Sequence, residues 1–193
     1  MSTGGIFTLL SMDKFIGGND EVDHNVEYTS ADEVVPGLWI GNQASSADLA
    51  FLKKHDIKTI INCSTHIPFI DHNKHKRVAV RIPVLDPGPF KNLGQRDVDK
   101  MYAALPAAVD IIKKSMEKGG VLVHCHAGMQ RSAAVVVAYL AQYHFNNCKK
   151  PEEAYDRAVK FLQDKRPRVF YHGWHVNFQS AIKRYLQYIC NRK

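Results

Sequence analysis

The sequence predicts an α/β fold in which one sheet is covered by helices, and three observations predict it. β-rich apolar runs alternate with helical stripes through the first two thirds of the chain. Only helical patterns follow the last of these strands. That strand, Val121-Leu122-Val123, is wholly apolar and leads through a short loop into an equally apolar helix. A length of 193 residues allows one domain with a short extension.

Residues 1–27 are Gly-rich and mixed in charge, and read as an N-terminal extension. Their Ile6-Phe7-Thr8-Leu9-Leu10 stretch can pack on the domain or on a second subunit, which leaves a homodimer open, although a frayed terminus is the plainer reading. Val34-Val35, a Pro36-Gly37 turn and Leu38-Trp39-Ile40 predict a hairpin. Ser45 or Ser46 is expected to cap a helix carrying Leu49, Phe51 and Leu52, with Asp48 in its first turn. Residues 57–63 and 78–85 are further β-rich runs. Val98, Met101, Tyr102, Leu105, Val109, Ile112 and Met116 form a helical stripe, and Pro106 within it predicts a kink or break. Gly119-Gly120 should close that helix ahead of Val121. Residues 132–145 contain no Lys, Arg, Asp or Glu and read as a buried helix. Pro151 with Glu152 and Glu153 opens another, which Pro167 ends, and residues 178–189 supply the last.

Composition excludes several classes. Hydrophobic residues at 45% and charged residues at 23% rule out collagen-like, disordered and disulfide-scaffold chains. No run reaches the roughly 18 apolar residues of a membrane span. Residues 6–12 lack a preceding basic cluster and a cleavage site, so no secretion is expected. Ser2 removes the glycine that myristoylation needs, and Cys190 before Asn191 and Arg192 makes no prenylation box. Four cysteines form neither a close zinc pair nor a disulfide framework, which points to a reducing cytoplasm or nucleus. The net charge of +7 is spread over short clusters such as Lys53-Lys54 and Lys149-Lys150, each best read as a solvated face. Together they favour anionic partners, phosphorylated ones included, while a nucleic-acid partner is not expected.

The chemistry sits in His124-Cys125-His126-Ala127-Gly128-Met129-Gln130-Arg131-Ser132. A loop between a strand end and a helix start can turn its amides inward as an anion nest, and the helix N-terminus adds partial positive charge. The same field lowers the pKa of Cys125 from its usual ~8.5 towards thiolate. Gly128 permits the tight path, and Arg131 can grip two phosphate oxygens. This layout suits a phosphate dianion held against a thiolate by residues 126–131. A buried structural thiol is the commoner role for a lone cysteine, but five residues fixed in type and offset outweigh it.

His-Cys-x-x-Gly-x-x-Arg-Ser in this setting resembles the signature of the cysteine-dependent protein phosphatases, in particular the dual-specificity branch. Val35-Pro36-Gly37-Leu38-Trp39-Ile40-Gly41-Asn42 is similar to the hairpin that opens those domains, and Ile82-Pro83-Val84-Leu85-Asp86 to the strand that leads to their general acid. The resemblance runs from about Thr29 to Tyr188. It implies a catalytic domain over residues 28–193, with a single central, mixed and largely parallel β-sheet flanked by helices. It further implies a metal- and cofactor-independent hydrolase acting on phosphotyrosine and on phosphoserine or phosphothreonine. Cys125 would be the nucleophile of a cysteinyl-phosphate intermediate, and Arg131 with the loop amides would hold the phosphoryl oxygens. Ser132 would assist the sulfur as it leaves, and His124 would orient Cys125, core packing being its plainer alternative. Asp86 would be the general acid and later base. Asp97 and Asp99 compete for that role but read as first-turn helix acids. Cys63 matches a position where some relatives carry a disulfide partner of the nucleophile, against a plain packed thiol here.

Two departures stand out. Gln130 replaces the Ser of many relatives, and Trp174-His175-Val176-Asn177 stands where a Pro-Asn pair normally buttresses the loop, leaving Asn177 or His175 to serve. The alternative function is an RNA 5′-triphosphatase or other non-protein phosphatase, suggested by the basic charge. Ser132 opposes the RNA branch, which usually has Thr there. A phosphoinositide substrate usually comes with more cations in the loop than His126, Met129 and Gln130 provide. A phosphate-binding pseudoenzyme is opposed by the presence of Cys125, Arg131 and Asp86 together.

Overall fold

The structure, a computed structural model, describes residues 29–70, 76–85, 94–147, 150–170 and 178–192. Strand β1 (Ala31–Val35) turns at Pro36-Gly37 into β2 (Leu38–Gly41), and the two pair antiparallel as expected. Gly37 has φ +82°, a turn conformation that disfavours a β-carbon. Two short helices follow where the sequence predicts one: α1 (Gln43–Ala47) and α2 (Leu49–Lys54). Their caps also differ from the expectation. Asn42 Oδ1 accepts from Ser45 N at 3.1 Å, and Asp48 Oδ1 accepts from Phe51 N at 3.0 Å. Ser45 and Ser46 instead donate back to the carbonyls of Asn42 and Gln43, so Asp48 is a cap and not a first-turn acid.

Strand β3 (Ile57–Asn62) is followed by β4 (Val78–Arg81), which ends four residues before the predicted boundary. Ile82 N still donates to Asn62 O at 2.9 Å, but Pro83 has no amide to continue the ladder and Val84 N turns back onto Ile82 O. Helix α3 (Gln95–Met116) runs unbroken through Pro106, against the expected kink or break. Pro106 lies on the exposed side, so the carbonyl that loses its amide partner faces water, while Met101, Leu105, Val109 and Ile112 bury the opposite side. Strand β5 (Gly120–His124) then leads into α4 (Arg131–Tyr143), α5 (Pro151–Lys165) and α6 (Gln179–Cys190), close to their predicted limits.

The five strands lie in the order β1-β2-β5-β3-β4, parallel except for the β1–β2 hairpin. Strand β5 is central and buried at every position. Period-2 alternation sends Val121 and Val123 into the main core with α3–α6, and Leu122 into a smaller core with Leu52, Ile57 and Ile60 under α2. Ile57 and Ile60 are an odd number of residues apart, and the ladder irregularity between Ile57 and Thr59 is what lets both face that side. The loop between β5 and α4 therefore lies at the carboxyl end of the middle strand, where open α/β sheets bind ligands.

At the start of β5 the backbone comes close to the α2–β3 turn: a β-carbon on Gly120 would meet the His55 carbonyl oxygen at 2.7 Å. Gly120→Ala should therefore cost about 1–3 kcal/mol, read as a lowered urea midpoint with an unchanged m-value. Gly94→Ala, with its nearest neighbour at 3.9 Å, should cost clearly less.

Candidate active site

The loop is wound from outside. His126 O accepts from Gln43 N at 3.0 Å, the first amide of α1, which has no partner inside its own helix. Ala127 O accepts from Arg166 Nη2 at 3.2 Å, and Gly128 O from Arg166 Nε at 2.8 Å. Met129 O accepts from Phe170 N at 3.1 Å. Because a trans peptide sets its N–H opposite its carbonyl, four carbonyls held outward turn the amides of residues 127–130 inward. Gly128 takes φ +71° and passes so close to β2 that a β-carbon would lie 2.7 Å from the Gly41 oxygen. Glycine is needed there for both reasons.

Cys125 sits at the centre of this ring, almost fully buried. Gly128 N donates to its Sγ at 3.3 Å, and Ser132 Oγ lies 3.3 Å from it. Burial pushes the thiol pKa up. The Arg131 charge, the Ser132 hydroxyl and the backbone amides of Ser132 and Met129 outweigh it, so the net shift is downward. Arg131, buried at the first position of α4, has Nη1 3.5 Å from the Val84 carbonyl. Gln130 caps α4 without a side-chain hydrogen bond, which leaves the helix N-terminus open to an anion.

His124 ends β5, buried, and its carbonyl accepts from Cys63 N at 2.7 Å. His126 is exposed beside the ring, and Ala127 and Met129 are half-buried. Gln130 is buried, and its side-chain amide makes no hydrogen bond. Cys63 is also buried; burial first, then the neighbouring Cys125, hold its thiol well above the usual range, only partly offset by Arg131. Asp97 lies in the first turn of α3, as expected; Asp99 lies beyond that turn, against the expectation, and pairs with Arg184 at 2.6 Å. Asp86, His175 and Asn177 lie outside the described residues, as does the whole 1–27 extension. The described chain reaches Leu85 just past the Val84–Arg131 contact.

Sequence reasoning therefore found the ring and its central sulfur, and missed the residues that hold the ring. Gln43 and Phe170 act through backbone amides, which no residue type announces. Arg166 reads as one more cation beside Pro167, and nothing in its residue type marks it as buried.

A buried thiol whose pKa is lowered by a guanidinium, a hydroxyl and backbone amides, at the carboxyl end of the central parallel strand, is the arrangement of the cysteine-based tyrosine phosphatase superfamily. The family model described as "Dual specificity phosphatase, catalytic domain" matches residues 38–185. The chain thus belongs to the dual specificity phosphatase catalytic domain family. It is 34% identical to human dual specificity protein phosphatase 7, over 78% of this chain and 33% of that protein. To a probable dual specificity protein phosphatase of Dictyostelium discoideum it is 31% identical, over 71% of this chain and 55% of that one. Among solved structures, a mouse putative dual specificity phosphatase in complex with zinc tungstate superposes with TM-score 0.61 at 25% identity, over 90% of this chain and 96% of that chain. The chain spans about half or less of the length of the curated relatives it matches. Among the described residues, no group of three or more His, Cys, Asp or Glu is placed to hold a metal ion, and no helix is long and apolar enough to cross a membrane.

The lowered Cys125 pKa has a stability consequence of definite sign. A group with a depressed folded pKa stabilises the fold fully above its unfolded pKa, and that contribution is lost as pH falls through the folded value. The stability of the wild type relative to Cys125→Ser should therefore rise with pH through the interval just below the ordinary thiol pKa, read by urea melts across pH. A flat difference would mean that the thiol is not shifted.

Proposed function

We propose that this domain hydrolyses phosphate monoesters on tyrosine and on serine or threonine of proteins through a cysteinyl-phosphate intermediate. The observation that carries the reading is the Cys125 sulfur receiving donors from Gly128 and Ser132 beside Arg131. In the first step the Cys125 thiolate attacks phosphorus and the P–O bond to the substrate breaks. The leaving oxygen takes the proton of Asp86. In the second, Asp86 accepts a proton from water as the water oxygen attacks phosphorus, and the S–P bond breaks to release phosphate and the thiolate. Ser132 steadies the departing sulfur, while Arg131 and the amides of the 126–131 loop hold the equatorial oxygens in both transition states. His124 orients Cys125 from the strand end. The catalytic domain would extend over residues 28–193, with 1–27 as an extension able to serve a homodimer, in a reducing compartment such as cytoplasm or nucleus.

Cys125→Ser should abolish turnover of phosphopeptides of both types. Asp86→Asn should slow leaving groups of high pKa by about 10²–10⁴-fold while sparing activated aryl phosphates, in a steady-state comparison of the two. Faster turnover of triphosphorylated RNA than of any phosphopeptide would overturn the protein-substrate reading in favour of the RNA 5′-triphosphatase alternative.

We also propose that Cys63 is the redox partner of Cys125. Asn62 pairs with His124 as the last rung of the parallel β3–β5 ladder, and Cys63 and Cys125 follow directly past the two strand ends, Cys63 N donating to His124 O at 2.7 Å. Strands about 4.8 Å apart bring the two α-carbons within disulfide reach. Peroxide would oxidise the Cys125 thiolate to the sulfenic acid, and the Cys63 sulfur would then displace its oxygen as water to form the S–S bond. Mass mapping after limited peroxide should find Cys63 joined to Cys125. Over-oxidised Cys125 beside a free Cys63 thiol would sink the pairing.

A further inference from the structure

Arg166 closes α5 and is almost entirely buried, a costly place for a cation without partners. It has four. Nε and Nη2 hold the carbonyls of Gly128 and Ala127, and Nη1 reaches Thr29 O at 3.2 Å and Asp32 Oδ2 at 2.5 Å. Asp32 is fixed in turn, because Thr29 Oγ1 donates to its other oxygen at 2.5 Å. The guanidinium plane thus joins β1, α5 and the loop, and its fork geometry allows it to serve a carboxylate and two carbonyls together.

The two carbonyls it holds belong to the peptide units whose opposite ends are the amides of Gly128 and Met129. Those are the loop amides that act on the Cys125 sulfur, Gly128 at 3.3 Å and Met129 by lowering the thiol pKa. We propose that Arg166, locked by Asp32, is a positioning residue that keeps these two peptide units turned so that their amides face the sulfur, an inference that rests on the phosphatase reading of the site. Its described contacts on the loop are with backbone carbonyls, so it acts through the backbone. The remaining groups facing Cys125 among the described residues are Arg131 and Ser132 from α4 and Cys63 from β3, with His124 and His126 flanking it in the chain.

A simple charge effect predicts a different outcome, which makes the proposal testable. If Arg166 acted only as a distant cation, removing Asp32 would leave it less neutralised and would favour the thiolate. If it acts as a clamp, removing Asp32 frees the guanidinium and disfavours the thiolate. The experiment is the pH dependence of Cys125 alkylation by iodoacetamide, located by mass mapping, in the full chain and in Arg166→Met, Arg166→Lys and Asp32→Asn, with the thermal midpoint of each recorded. Arg166→Met should move the alkylation midpoint about one pH unit upward, hence about tenfold slower alkylation below the wild-type midpoint. Arg166→Lys, an ammonium without the fork, should fall between it and the wild type, and Asp32→Asn should also move upward.

An unchanged midpoint in folded variants, even with lower thermal stability, would overturn the clamp by leaving Arg166 a merely structural role. A downward shift in Asp32→Asn would overturn it in favour of plain charge. Should Arg166→Met fail to fold, the sign in Asp32→Asn still decides. A wild-type midpoint at the ordinary thiol value would bring down the phosphatase reading itself, and the clamp with it.

Discussion

Two thiols lie just past the ends of neighbouring strands, both buried, and their ionisation is pushed in opposite directions. Burial alone raises a thiol pKa, and at Cys63 it dominates. At Cys125 the same penalty is overcome by a guanidinium, a hydroxyl and backbone amides. The difference between them is local: Cys125 begins a loop that returns on itself, whereas Cys63 has only the field of its neighbours. The site depends on offsetting the desolvation of the Cys125 thiolate form, and the surrounding structure supplies the donors that do so.

Amides do not turn inward by themselves, since a loop of free peptides would present carbonyls as readily. The fold settles the matter through the other end of each peptide. The α1 N-terminus, the Arg166 side chain and the Phe170 amide each take loop carbonyls, and they come from two distant parts of the chain, the start of α1 and the turn that ends α5. This gives the short α1 helix a use that its length alone would not suggest: its first amide is an orphan donor aimed at His126 O. It also explains why Gly128 lies against Gly41, because a loop tied down from several directions has no room for a side chain at its crossing with β2.

The sequence carried most of the fold and the centre of the site, for physical reasons that differ by element. The strand Val121-Leu122-Val123 and the helix after it were legible because both are apolar on nearly all sides, which only a central strand and its covering helix are. The Cys125–Ser132 spacing was legible because anion binding needs specific residue types. Boundaries set by backbone hydrogen bonds were less so. Asn42 and Asp48 took the caps expected of Ser45 or Ser46, β4 stopped at Arg81 because Pro83 breaks the ladder, and α3 passed through Pro106 because the gap faces water. Arg166 was hidden for another reason: a buried arginine and a solvated one read alike in sequence, and its partners are mostly carbonyls.

The uncapped start of α4 has a wider consequence. A side-chain cap such as Asn42 on α1 or Asp48 on α2 is worth about 1 kcal/mol; Gln130, like the caps of α3, α5 and α6, makes no such bond. What distinguishes α4 is that its open end adjoins the loop around Cys125, where, on the proposed function, a phosphoryl group would supply the acceptor that the helix lacks. On that reading occupancy and folding would be linked, and a tightly held oxyanion would stabilise the folded sheet by mass action.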